Sequence, residues 1–218
     1  MKIKIYKRIV TIILISSIAI LIGMIAYDYY DMKKSNEYAE DMIGEINKII
    51  QDNQNLFVIK NDNNSENNTG GSNGIVQDKT AKMPVRAAQI TGYEVYGKIK
   101  IDKIGIEYPI IEYKNSDALW KSICKISNNN VDGTGNLCLA GHNMRNLSMF
   151  GNLRKVGVGD KVKITNLYGE EFTYEVYEKV YIDPNQTEVL NNTDEAIVTL
   201  ITCNDASNKR LIVKGKLI

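Results

Sequence analysis

From Ile9 to Tyr27 the chain reads IVTIILISSIAILIGMIAY, without one charged side chain. A helix of that length can cross the hydrocarbon core of a bilayer, which takes about 20 apolar residues. It leaves the residues that follow to supply any folded domain. The stretch is longer than the apolar core of a signal peptide and runs into Asp28-Tyr29-Tyr30-Asp31 instead of a small-x-small cleavage site, so it reads as a retained anchor and not a cleaved leader. Lys2, Lys4, Lys7 and Arg8 precede it, whereas Lys33 and Lys34 after it are partly offset by Asp28 and Asp31. The excess of cations on the N-terminal side places residues 1–8 in the cytoplasm and the chain from residue 28 onward outside. The expected localisation is a single-pass type II protein of the cell membrane.

Residues 28–89 read as a stalk. Tyr38, Met42, Ile43, Ile46, Ile49 and Ile50 recur at helical spacing between charged residues, predicting an amphipathic brace over 35–52. NDNNSENNTGGSNG, residues 61–74, has too little apolar content to repay its ordering entropy and reads as a flexible linker that lets an outer domain range over the membrane surface. Beyond residue 90 short alternating runs take over. Ile99, Ile101, Ile104, Ile106, Tyr108 and Ile110 form one such set, with Pro109 marking an edge. Val162 and Ile164 lead into the turn NLYG, and Phe172, Tyr174, Val176, Val180 and Ile182 follow. SDALWKSICKI predicts a short helix capped by Ser116, with Leu119 over Ile123 and Trp120 over Cys124, and LSMFGNL a single turn. Many short strands without covering helices predict an all-β, closed or nearly closed barrel over 90–218.

At the C-terminal end, IVTLITC and RLIV flank the turn residues NDASN, which predicts a hairpin with Cys203 and Arg210 near its mouth, roughly 5–8 Å apart. A thiol ending an apolar strand is ordinarily a small core hydrophobe. An arginine beside it is another matter, because a guanidinium pushed into a core without a partner is costly. The only histidine, His142, follows the strand-like LCLAG, where a glycine marks a sharp turn or a close approach. A thiol nucleophile needs a group to manage its proton, and a tetrahedral oxyanion needs a positive donor. Cys203, His142 and Arg210 supply one group for each role.

TLITC followed after a turn by Arg210, with GHN some sixty residues upstream and GVGDKVKI between, resembles the sortases, the membrane-anchored cysteine transpeptidases of Gram-positive bacteria. The similarity runs through residues 90–218. It implies an eight-stranded barrel in which Cys203 attacks a sorting signal similar to L-P-x-T-G at its Thr–Gly bond. His142 is then the general acid and base, Arg210 holds substrate and oxyanion, and an amine releases the acyl-enzyme. The implied partners are exported proteins bearing the signal and an amine acceptor, a lipid-linked peptidoglycan precursor ahead of a pilin lysine. By position, Thr202, Val189 and Leu190 are expected to bind or shape the site for the signal. The stretch between Ile182 and Ala196 is too short for the extra helix of class B, which leaves class A or a class D-like enzyme.

No cofactor is expected. SNNNVDGTGN holds a single acid, Asp132, where calcium-dependent relatives carry an acidic cluster, and no metal is expected either. With Lys+Arg 27 against Asp+Glu 26, nothing points to nucleic acid. Two other classes remain in view. One is a catalytically idle adhesion or binding module on the same barrel, since fold does not guarantee function. The other is a structural zinc module, because Cys124, Cys138, Cys203 and His142 formally make a Cys₃His set.

Overall fold

The computed structural model describes residues 2–63, 87–129, 131–204 and 207–218. Helix α1, Lys2–Asn63, is continuous from the apolar span through the amphipathic segment. The strands are β1 (Ala88–Ile90), β2 (Tyr93–Ile101), β3 (Ile106–Glu112), β4 (Ile123–Lys125), β5 (Asn136–Ala140), β6 (Lys161–Asn166), β7 (Glu171–Ile182), β8 (Ile197–Asn204) and β9 (Lys209–Leu217). A short helix, α2 (Ser116–Lys121), precedes β4. The sheet order is β1-β2-β3-β4-β5-β8-β9-β7-β6, and β6 pairs back onto β2. That last pairing closes a ring of eight strands, with β1 outside it as a short addition to β2.

The alternation read from the sequence fills this ring. Ile99, Ile101, Leu137, Leu139, Val162, Ile164, Tyr174, Val198, Leu200 and Val213 point inward and are buried. Closure depends on Gly97. Its φ of +147° is one that L side chains rarely adopt, and a Cβ there would stand 2.1 Å from the Thr165 carbonyl oxygen across the β2–β6 seam. The bulge between Val95 and Gly97 bends β2 from its β1 partner toward β6 at the same place.

Three local expectations are corrected. Asn115, not Ser116, caps α2, its side chain accepting from the Ala118 amide at 3.2 Å. The helix stops at Lys121, so Ile123 and Cys124 belong to β4 and never face Leu119 and Trp120 across a helical turn. Pro109 is not on an edge strand: β3 lies between β2 and β4, but the β4 ladder starts only at Ile110, so the missing N–H costs no pairing.

The larger correction concerns the stalk. Helix α1 continues to Asn63, and the rest of the expected linker, 64–74, lies outside the described residues. Yet α1 is docked on the barrel. Met42 and Ile46 are buried with Ile90, Val95, Ile111, Ala118, Cys124 and Leu167 in a second apolar cluster on the barrel's outer face. Asn36 accepts from the Tyr108 hydroxyl at 2.7 Å, Asn47 from Lys98 at 2.8 Å, and Asn53 donates to the Leu167 carbonyl at 2.9 Å. The amphipathic stripe is a brace, and the barrel does not range freely about it. By contrast every residue from Lys7 to Tyr30 is exposed, and among the described residues this is the one helix long and apolar enough to cross a membrane.

Asn36→Ala leaves the nearly buried Tyr108 hydroxyl without its acceptor and is expected to lower stability by about 1–2 kcal/mol. Urea unfolding of the full chain in detergent checks it; an unchanged midpoint would mean the brace adds nothing at this bond.

Candidate active site

The β8–β9 hairpin is in the expected register. Cys203 faces Arg210, Ile201 faces Ile212 and Thr202 faces Leu211. Because side chains alternate along a strand, Val198 and Leu200 enter the core while Thr199, Ile201 and Cys203 face outward with Arg210 beside the thiol. Both Cys203 and Arg210 are half-buried. On its other flank Arg210 pairs with Ile182 at the end of β7.

The histidine arrives from the opposite side of β8. Strand β5 runs parallel to β8, with Ala140 against Ile201, and the Gly141 amide donates to the Ile201 carbonyl at 3.1 Å. Two residues past the last ladder pair, Ala140–Ile201, His142 is level in register with Cys203. Gly141 is needed for a close approach: a Cβ would meet the Phe150 ring at 2.8 Å. Thr202, expected to shape the substrate site, is buried, and its hydroxyl donates to the Gly141 carbonyl at 2.8 Å. Its side chain thus ties the thiol strand to the turn that carries the imidazole.

Around His142 the 143–150 segment folds back, and the Phe150 amide donates to the His142 carbonyl at 3.1 Å. Trp120 on α2, itself largely exposed, lies with its ring centroid 4.2 Å from the imidazole at a 36° tilt. The His142 Nε2 atom is buried yet has no hydrogen-bond partner among the described residues. Desolvation pulls the His142 pKa below its ordinary 6.5, so the neutral ring is favoured in the folded protein. The unfolded chain therefore binds the proton more readily, and folding stability is expected to decline as pH falls through about 6.5 toward the lower folded value, not above it. With one histidine in the chain, an NMR titration reads this directly. A midpoint below 6.5 is expected; one at or above it would contradict the buried, unpartnered ring.

Cys203 opens into a cavity of about 240 Å³ lined with Asn143, Phe150, Arg154, Tyr181, Thr202, Asn204 and Leu211. Sequence reading missed Trp120, Arg154 and Tyr181, which reach the site from segments distant along the chain. Trp120 had a faint signal as the only tryptophan, on a short helix before a strand. Val189 and Leu190, expected to line the signal pocket, are not in this cavity. They sit in a short 3₁₀ turn whose backbone is held near the start of β5: the Asn136 side chain donates to the Val189 carbonyl at 2.9 Å, and the Cys138 thiol lies 4.0 Å from the Leu190 carbonyl. Asn136 pairs with Ile197, at the far end of β8 from Cys203.

The Cys₃His reading fails on placement. Cys124 lies in the cluster beneath α1 and Cys138 beneath the 188–190 turn, and among the described residues no group of His, Cys, Asp and Glu is arranged to hold a metal ion. All three cysteines are unbridged. Burial pushes the Cys124 thiol up to about 12 and the Cys138 thiol up to about 11, which keeps both protonated and inert.

The sortase domain family model matches residues 99–218. Sortase A of Listeria monocytogenes is 35% identical over 126 residues, covering 56% of this chain and 56% of that one. Sortase A of Bacillus anthracis is 28% identical over 144 residues, covering 65% and 68%. Among solved structures, a Clostridium perfringens sortase D5 transpeptidase superposes with a TM-score of 0.53 at 37% identity, over 57% of this chain and 79% of that one. The chain thus matches just over half the length of the Listeria relative, and the family-model match, residues 99–218, contains the barrel from β3 onward with His142, Cys203 and Arg210. The chain belongs to the sortase family.

Proposed function

We propose that the protein is a membrane-anchored cysteine transpeptidase with Cys203 as nucleophile, His142 as general acid and base, and Arg210 as the oxyanion and substrate donor. The observation that carries this is the trio at one end of β8. A half-buried thiol has a guanidinium on the neighbouring strand to one side and, on the other, an imidazole whose Nε2 is buried without a partner. A buried polar atom left unpaired is costly unless it has a task, and a proton relay to a reacting thiol is such a task.

In this reading the Cys203 sulfur attacks the carbonyl carbon of a sorting signal similar to L-P-x-T-G, and the Arg210 guanidinium stabilises the tetrahedral oxyanion. His142, which takes the thiol proton as the sulfur attacks, passes that proton to the departing glycine amine as the C–N bond breaks, leaving a thioester on Cys203. An acceptor amine then attacks that carbonyl, and His142 takes the proton it loses and returns it to the sulfur as the C–S bond breaks, restoring the thiol. The acyl chain lies along the outward face of β5 and β8, past Ile201, in the direction of Val189 and Leu190. Residues 9–27 anchor the enzyme with the barrel outside the cell, where exported proteins and a lipid-linked, amine-bearing cell-wall precursor are both present. The named relatives, two of them sortase A and one a sortase D5, favour the class A or class D-like assignment.

The test is intact-mass spectrometry of the full-length chain in detergent, mixed with sorting-signal peptides. A mass increase equal to the acyl portion, mapped to Cys203 and discharged by an added amine, is expected. A folded protein that forms no adduct with any signal peptide would instead favour the idle binding module.

A further inference from the structure

The cavity beside Cys203 does not lie along the face assigned to the acyl chain. Its walls include Thr202 and Leu211, which face each other in register and point toward the core, and Phe150, which is fully buried. It therefore opens at the end of the barrel, on the side of the thiol from which a second substrate can approach. At about 240 Å³ it is smaller than the roughly 300–1,000 Å³ of whole-ligand pockets, and suits the end of a substrate.

Its charge is unexpected for a site that receives an amine. Arg154 is the one charged side chain in its lining, while Lys179, whose ammonium donates to the Arg154 carbonyl, and Arg210, across from Cys203 on the outward face, stand outside that lining. Among the described residues no carboxylate lies within ion-pair distance of any of these three cations. The Arg154 guanidinium itself makes one hydrogen bond, to the Gly151 carbonyl at 3.2 Å, which leaves most of its donors uncommitted. A cavity whose one charged side chain is a guanidinium disfavours an ammonium ion and favours the neutral, nucleophilic amine. The guanidinium must then recognise some other group, and a planar fork of donors matches a carboxylate.

We infer that this cavity seats the amine acceptor and that Arg154 selects acceptors that carry a carboxylate within about two residues of the nucleophilic nitrogen. The inference rests on the transpeptidase reading. In the step it serves, the acceptor nitrogen forms a C–N bond to the thioester carbon, the C–S bond breaks with its electron pair going to the Cys203 sulfur, and the proton released by the nitrogen passes to His142. Arg154 touches only the carboxylate and fixes the direction from which the nitrogen arrives.

The experiment uses the full-length chain in detergent, a sorting-signal peptide, and two acceptors differing in one group: glycylglycine and its C-terminal amide. Wild type is expected to show a KM about tenfold lower for the acid, a preference that shrinks as salt is raised. In Arg154→Gln the ratio of the two KM values should approach one, with Arg154→Lys recovering part of the preference. Equal KM values in wild type, or a preference that R154Q retains, would overturn the inference while leaving the acyl-enzyme intact. Signal peptides with and without a carboxylate beyond the scissile bond form a parallel arm. If R154Q alters only their handling, Arg154 serves the departing segment and the acceptor assignment is wrong. Absence of any acyl adduct would sink the transpeptidase reading and this inference with it.

Discussion

Cys203→Ala is expected to eliminate the acyl adduct and to lower amine-dependent product formation by roughly 10⁴–10⁶-fold, the range seen when a nucleophile acting as one unit with its base is removed. The change is chemically large and structurally small. Cys203 is half-buried at the outward end of β8, beyond the core positions Val198 and Leu200, so a methyl group there opens no internal cavity and leaves the Cys203–Arg210 backbone pairing in place. Loss of activity can then be assigned to the sulfur, provided the thermal unfolding of the variant matches wild type. His142→Gln is expected to fall in the same range, because Nε2 is the one buried, unpartnered side-chain nitrogen among the described residues and His142 follows β5, the strand paired with the thiol strand. Adducts that form at wild-type rates in either variant would remove the residue from the mechanism. Measured together in a double variant, the two losses should not add, since neither group works without the other.

The second large effect is structural. Gly97→Ala is expected to cost about 3 kcal/mol or more, enough to exceed most single substitutions. Two penalties fall at one position. A φ of +147° strains any side chain, and the new Cβ would stand 2.1 Å from the Thr165 carbonyl oxygen. Neither flexible side chains nor solvent can absorb the clash, because the obstacle is backbone. The β2–β6 seam must separate, and with it the only pairing that closes the ring. A fall in the urea midpoint, with faster proteolysis or hydrogen exchange along β6, would show this; a variant as stable as wild type would mean the seam relaxes in a way the backbone geometry does not reveal. Gly105→Ala is a useful control, since its added Cβ meets nothing within 4 Å although its φ of +65° is also positive.

What could be read from the sequence follows from how far each feature reaches along the chain. The β8–β9 hairpin is local: β-branched runs and a polar turn fix both its existence and its register, so Cys203 and Arg210 fall opposite one another as expected. The barrel is legible as a class because alternation over six or more short runs has few other solutions. The docking of α1 is not. Its stripe of Tyr38, Met42, Ile46 and Ile50 announces an apolar partner but not which one, and the partner is an outer barrel face assembled from β1, β2, β3, β4 and the turn at Leu167. Trp120 and Arg154 escaped for the same reason, since a lone aromatic or cation carries no mark of the distant loop it will meet. Asn115 and Ser116 are both good caps, and only the position of the first helical hydrogen bond separates them. Val189 and Leu190 were placed by their order in the chain, which says on which loop they lie but not how far along β8 that loop travels.

One feature of α1 bears on how such an enzyme meets its substrates. The helix runs unbroken from the apolar span into the brace, and Asp31, within it, accepts a hydrogen bond from Asn146 in the segment that follows His142. In the proposed orientation Asp31 is four residues beyond Tyr27, or about 6 Å along the helix axis. In that orientation the reactive end of the barrel would be held at a set altitude in the headgroup layer, like a stylus above a disc. Encounter with the proposed lipid-borne acceptor would then be a search in two dimensions at that altitude, and reactivity would be gated by whether a partner's amine or scissile bond travels in the same thin layer.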